Sequence, residues 1–373
     1  MAGSDGNGQA QADGIPPLAR LYFYLTEGCN CACRHCWLAP KFDPDASRYP
    51  TLAVATFERV IAQARPLGLV GVKLTGGEPL LHPHLRELLA IVRREDLGLT
   101  VESNGLLLTR ELAEDLASCK AAHVSVSMDG VDAATHDRIR GVPGSFAAAT
   151  AAVEHLVAVG LKPEMILSVM RSNVDHVEPM VRLAERLGAH TLKFNVVQPT
   201  ARGEALHDRG DTLGVAELIA LGRRVETELA ASTAVRLVFD YPMAFRPLSR
   251  LATPAGQGRC GILGIMGVLA TGVYALCGIG EHVPELTFGH ADEVDLGQVW
   301  REASVLNDLR AGLPARLQGI CTQCVMRTRC LGSCVAQNYY RSRDLFAPFW
   351  FCDLADQAGL FPESRRRPVP CNA

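Results

Sequence analysis

The chain predicts an α/β protein, a parallel sheet of six strand–helix units followed by a cysteine-rich C-terminal region. Two observations carry this. Short apolar runs alternate with amphipathic stretches from about residue 20 to 231. Thirteen cysteines are present, and eight of them fall after residue 259, where the alternation has stopped.

The strands read at 21–26, 69–74, 99–102, 123–127, 163–170 and 192–197, as short runs rich in Val, Leu, Ile and aromatic residues. A stretch of helical periodicity follows each, at 51–64, 82–93, 110–118, 145–159 with Ser145 as its cap, 173–187 and 215–230. Six such units fit, in number, a partial barrel. Residues 1–19 read as a disordered lead-in, 20–231 as the barrel and 232–259 as a bridge rich in Pro and Gly. Residues 260–355 read as the cysteine-rich domain and 356–373 as a tail.

Composition excludes several classes. The 373 residues are 48% apolar and carry a net charge of −3, so a large core is expected and no basic stripe points to nucleic acid. Arg365-Arg366-Arg367 reads as a solvated tail. No apolar run is long enough to predict a membrane span, and the N-terminus lacks a signal-peptide pattern. A cytoplasmic protein is expected, with its cysteines on metal rather than in disulfides.

Cys29, Cys33 and Cys36 stand at C-x3-C-x2-C just after the first strand. Three thiolates on a tight loop can hold three irons of a 4Fe–4S cube and leave the fourth open for a ligand. The other reading is zinc, which takes four ligands, usually as paired C-x2-C units. Cys31 lies between these cysteines, and the cluster does not need it. In a parallel α/β fold, ligands bind at the C-terminal ends of the strands. Strand two ends in Thr75-Gly76-Gly77-Glu78-Pro79, where two glycines let backbone approach a ligand and Glu78 offers an acceptor for an ammonium group. Strand three ends in Ser103-Asn104-Gly105, and strand four in Ser127-Met128-Asp129-Gly130. Lys193, Asn195 and Gln198 stand at the end of strand six, on a face that alternation alone does not orient.

This series resembles the radical SAM superfamily. The resemblance implies a partial (β/α)6 TIM-like barrel whose first three cysteines hold a 4Fe–4S cluster. S-adenosylmethionine (SAM) chelates the open iron there and is cleaved to a 5′-deoxyadenosyl radical. It implies that Gly76, Gly77, Glu78 and Pro79 bind the SAM amino group, and that Ser103 and Asn104 lie beneath the cofactor. Ser127 and Asp129 bind its ribose or line its site. His35 stands where the family usually has an aromatic residue, against the adenine. His136-Asp137-Arg138-Ile139-Arg140-Gly141 is similar to the H-D-x-x-R-G segment of peptide-modifying members, where Arg140 would hold a carboxylate.

The C-terminal cysteines resemble the SPASM pattern, C-x(9–15)-G-x4-C, then C-x2-C-x5-C-x3-C, then C. Cys260, Gly272, Cys277, Cys321, Cys324, Cys330, Cys334 and Cys352 all match it. The resemblance implies two auxiliary Fe–S clusters of the 4Fe–4S kind. Cys321, Cys324, Cys330 and Cys352 would hold the distal one, and Cys260, Cys277 and Cys334 the one nearer the active site. Met266 stands where some relatives carry an eighth cysteine. Cys119 reads as a buried apolar residue, and Cys371 is left over.

The function implied is hydrogen abstraction from a peptide or protein substrate, giving a crosslinked, oxidised or epimerised residue. An external one-electron reductant is required. Sulfatase-maturing relatives have an aspartate after the second SPASM cysteine, and here Gly278 follows Cys277. Twenty residues precede the first strand, too few for a winged-helix leader-binding domain, so either a separate protein or the cysteine-rich domain would bind a leader, or the substrate is no leader peptide. Two other functions compete: a SPASM enzyme acting on a small molecule such as a tetrapyrrole, and a non-catalytic Fe–S electron carrier.

Overall fold

The computed structural model describes residues 14–43, 48–252 and 260–367. Its centre is one ten-stranded sheet. In chain order, apart from two-residue strands, these are β1 (Arg20–Tyr24), β2 (Gly71–Thr75), β3 (Gly98–Ser103), β4 (His123–Ser127), β5 (Glu164–Val169), β6 (Thr191–Val196), β7 (Arg236–Asp240), β8 (Ile265–Val268), β9 (Val273–Ala275) and β10 (Thr287–His290). Strands β1 to β7 pair in sequence order and all in parallel. The far edge of β1 takes β8, also in parallel, and β9 and β10 add on antiparallel. The sheet therefore stays open between β7 and β10: it is a partial barrel, extended at one edge by the C-terminal region.

The alternation of residues explains the curvature and the layers. Phe23 on β1 packs its ring 4.3 Å from Phe57 of α1 (Val54–Ala64). Val72, Leu74, Val101, Val126, Leu167, Phe194 and Phe239 are likewise buried in the apolar core. Around this outer face lie α2 (Leu85–Arg94), α3 (Arg110–Ala117), α5 (Ser145–Ala158), α6 (Val177–Leu187) and α8 (Val215–Arg224), while α4 (Ala133–Arg140) and α7 (Arg202–Asp208) pack in a separate small apolar cluster through Ile139 and Leu206. The opposite parity is polar: Tyr22, Lys73, Glu102, Lys193, Asn195 and Asp240. A barrel interior of this kind is an open, charged lumen instead of the packed apolar centre usual in closed barrels.

The structure departs from expectation in four places. A seventh parallel strand, Arg236–Asp240, runs where the sequence reads as a bridge. Helix α4 lies where only a motif was read; Asp132 caps it through the Thr135 amide and Gly141 ends it at φ 75°. Ser145 does not cap α5. Its hydroxyl donates to Asp137, and Gly144 takes the cap position. Arg365 and Arg366 are not a solvated tail either. Arg365 donates to the carbonyls of Ala244 and Arg246, and Arg366 pairs with Asp356. Among the described residues no helix is long and apolar enough to cross a membrane. Cys371 lies outside the described residues.

Candidate functional site

Everything of interest gathers at the C-terminal ends of the strands. Cys29, Cys31 and Cys33 are buried together, with Cys36 packed against them. The loop that carries them is held from three sides. Helix α4 accepts from it at its C-terminal end, Ala32 N–H to the Arg140 carbonyl (2.9 Å) and Arg34 N–H to Ile139 (3.2 Å). Gly141 allows this approach, since a Cβ there would sit 3.0 Å from that of Ala32. From α7, Arg202 donates to the carbonyls of Cys33 (3.1 Å) and Pro40 (2.7 Å). From the β2 end, the Gly77 amide donates to Thr26 (2.8 Å) and that of Glu78 to Gly28 (3.0 Å). Gly77 must be glycine: a Cβ would lie 1.9 Å from the Gly28 oxygen.

Glu78 is almost fully buried. Its carboxylate accepts from the Leu80 amide (3.1 Å), the Ser103 hydroxyl (2.8 Å) and the Asn104 amide (2.7 Å). Burial outweighs these donors and pushes its pKa up to about 7. The carboxylate is thus the buried tie between the β2 and β3 turns, while Gly76 and Gly77 line an open cavity of about 340 Å³ with Tyr24, Thr26 and His282. Pro79 begins the short turn after it. Asn104 reaches on, donating to Asn30 (2.7 Å) and lying 3.8 Å from the Cys29 sulfur.

Asp129 is wholly buried. It accepts from the Ser168 amide (2.8 Å), pairs with Arg140 at 2.8 Å and lies 3.6 Å from His35 Nε2. Burial opposes its charge, but Arg140 and then His35 win, and its pKa falls below the ordinary carboxylate value. Arg140 also approaches the Cys33 sulfur at 3.4 Å. The carboxylate that Arg140 holds in this structure is therefore the chain's own. Cys33 drops to about 5, through a hydrogen bond from the Cys31 thiol and, against burial, through Arg140, while the Cys31 thiol is driven far up by its bonds to Cys29 and Cys33. Ser127 ends β4, half-buried, beside Ile166 of β5.

The C-terminal cysteines fall into two groups. Burial pushes the Cys260 and Cys277 thiols up, the charge of Cys334 pushes both further, and Cys277 does the same to Cys260, which makes the three neighbours. Cys352 is in the same way a neighbour of Cys330, Cys321 and Cys324. These are the groups that the resemblance implies. All twelve described cysteines are free thiols. Among the described residues no His, Cys, Asp or Glu trio converges on a site for one metal ion. All-thiol donor sets of three, three and four, buried or half-buried, fit clusters that take one thiolate per iron. Met266 lies in the apolar core, opposite Leu21 in the strand pairing. Cys119 is a core residue with its sulfur 3.8 Å from the Asp115 carbonyl.

Lys193, Asn195 and Gln198, singled out from the sequence, line the lumen, whereas Lys73 was missed. Lys73 pairs with Glu102 (2.6 Å) and Lys193 with Asp240 (3.3 Å). They line a cavity of about 460 Å³ together with His35, Trp37, Cys260 and Cys334. A lone lysine inside the apolar run Leu69-Val70-Gly71-Val72-Lys73-Leu74 was the available signal.

Comparison with known proteins follows this geometry. Residues 23–184 match the family description "Radical SAM superfamily". The chain is 29% identical over 360 residues to the mycofactocin maturase MftC of Mycobacterium ulcerans, covering 94% of this chain and 92% of that protein. It is 25% identical over 379 residues to the AdoMet-dependent heme synthase of Nitratidesulfovibrio vulgaris, with 96% of each covered. Streptococcus suis SuiB bound to its precursor peptide SuiA shares the fold at a TM-score of 0.70 and 18% identity, over 90% of this chain and 76% of that one.

Proposed function

The chain belongs to the radical SAM superfamily, of the SPASM type, and from that premise we propose that it abstracts hydrogen from a peptide or protein substrate and leaves a crosslinked, oxidised or epimerised residue. The observation that carries the reading is one charged lumen lined by Cys260 and Cys334, by Cys330 of the other C-terminal set and by His35 of the cysteine loop, in a chain that aligns with a peptide maturase over nearly its full length.

A cluster and SAM, when bound, supply a carbon radical that takes hydrogen from an unactivated C–H bond. The rest is work for the chain. Cys29, Cys33 and Cys36 would hold the SAM-cleaving cluster. Cys260, Cys277 and Cys334 would hold one auxiliary cluster, and Cys321, Cys324, Cys330 and Cys352 the other. Gly76 and Gly77 offer backbone to the SAM amino end, and Glu78 and Ser103 fix that backbone from below. Asn104 steadies the Cys29 side of the loop. Arg140, held by Asp129, keeps its cationic charge against the Cys33 sulfur. Ser127 lies at the mouth of the same site. The lumen receives the substrate residue, and Lys73, Glu102, Lys193 and Asp240 exclude an apolar side chain from its wall. An external one-electron donor and a separate leader-presenting protein complete the system.

The test is anaerobic incubation of the cluster-loaded protein with SAM, dithionite and each short peptide encoded beside its gene, read by mass spectrometry. A SAM-dependent mass change on a peptide supports the reading. A second reading, action on a tetrapyrrole or similar cofactor precursor, rests on the heme synthase similarity. Turnover of porphyrin precursors with no change in any peptide would favour it.

A further inference from the structure

Lys73 is an anomaly in its strand. Its neighbours Val72 and Leu74 are fully buried, and burying an ammonium beside them is costly unless something needs the charge. Its side chain is only 20% exposed. Glu102 holds it at 2.6 Å from one side, and the Tyr22 ring lies 5.0 Å below the ammonium. The Glu102 carboxylate is the more exposed partner, at 40%. Lys73 lines the same cavity as Cys260 and Cys334.

We propose that Lys73 is the counter-charge of the Cys260–Cys277–Cys334 site, and that the Lys73–Glu102 pair sets the reduction potential of the cluster bound there. The inference rests on the cluster assignment above and deepens it. A cation beside a cluster stabilises the reduced, more negative form and so raises the potential, while an anion lowers it. Because the Lys73 side chain is largely buried, the effect is less screened than between exposed charges. Lys73 is a positioning residue in this scheme. Its effect on the potential acts through the charge that the three thiolates feel.

The alternative is that the pair is structural, tying β2 to β3. Potentiometry separates the two. The potentials are read in the full chain carrying Cys29→Ala, Cys33→Ala and Cys36→Ala, so that only the auxiliary clusters report, by EPR at poised potentials. Lys73→Met should lower one of the two auxiliary potentials. Glu102→Gln, which leaves the ammonium unneutralised, should raise the same one. Lys73→Arg should stay at the reference value. The other auxiliary potential is the internal control and should not move. Adding Cys260→Ala should abolish the responsive signal. Unmoved potentials, or shifts of the same sign in Lys73→Met and Glu102→Gln, overturn the inference and leave the cluster assignment standing. Iron content is read on the same samples. No auxiliary iron in the reference protein overturns the functional reading, and this inference with it.

Discussion

The buried pair Asp129–Arg140 should show a sharply asymmetric mutational cycle. Both side chains are essentially withdrawn from water, at 0% and 8% exposure, and their charged atoms are 2.8 Å apart. Removing the cation with Arg140→Met keeps most of the volume but strands a carboxylate in the interior. His35, 3.6 Å away, is the only other side chain placed to offset it among those the structure pairs with Asp129. Breaking a buried pair from one side costs about 3–5 kcal/mol. At about 2 °C per kcal/mol for a chain of this size, the melting midpoint should fall by about 6–10 °C. Asp129→Asn should cost less, because Arg140 retains the Cys33 sulfur at 3.4 Å. The double variant Asp129→Asn/Arg140→Met removes both charges and should be more stable than Arg140→Met alone, since replacing a whole buried pair is often close to neutral. The assay is anaerobic thermal denaturation of the cluster-loaded protein, followed by circular dichroism. A double variant no more stable than Arg140→Met, or an Arg140→Met midpoint within about 2 °C of wild type, would refute the reasoning.

Two further predictions concern the β2 turn. Glu78 has its folded pKa raised to about 7 from an ordinary 4.5, so the fold prefers its acid form. The stability this lends is full below pH 4.5 and is lost as the pH rises through about 7, an effect of about 3 kcal/mol. Glu78→Gln carries no such dependence. The melting midpoint of wild type minus that of Glu78→Gln should therefore decline from pH 5 to pH 8, and a flat difference would show that the carboxylate is not held as described. Gly77→Ala places a Cβ 1.9 Å from the Gly28 oxygen and must push apart the two backbone hydrogen bonds that join this turn to the cysteine loop. A loss of about 2–4 kcal/mol is expected from overpacking and the strained bonds together. Isothermal titration with SAM should show at least tenfold weaker binding, and unchanged affinity would remove Gly77 from the site.

The cysteine groups were legible because their spacing is itself the signal: a thiol ligand set survives in sequence as fixed intervals whatever the surrounding fold. The six strand–helix units were legible for a similar reason, since helix-facing strand residues such as Val72, Phe194 and Leu192 are strongly apolar. Strand β7 was not. Its Phe239-Asp240-Tyr241-Pro242 end reads as a turn, and only pairing with β6 makes Arg236–Asp240 a strand. The lumen was hidden because alternation fixes two faces without saying which is inside. Lys193 and Asn195 needed the buried partners Leu192 and Phe194 to orient them. Glu78 shows the remaining gap. The sequence marks it as an acceptor, but only the structure reveals that Ser103, Leu80 and Asn104 already supply its donors.

The central claim is that three thiol sets hold three clusters and that one of them cleaves SAM. Iron and sulfide should be counted after anaerobic reconstitution, and 5′-deoxyadenosine measured with SAM and dithionite, in wild type and in a Cys29/Cys33/Cys36→Ala variant. The account predicts about twelve irons in wild type and about eight in the variant, with 5′-deoxyadenosine formed only by wild type. About four irons or mostly zinc in wild type, or 5′-deoxyadenosine from the variant, would contradict it.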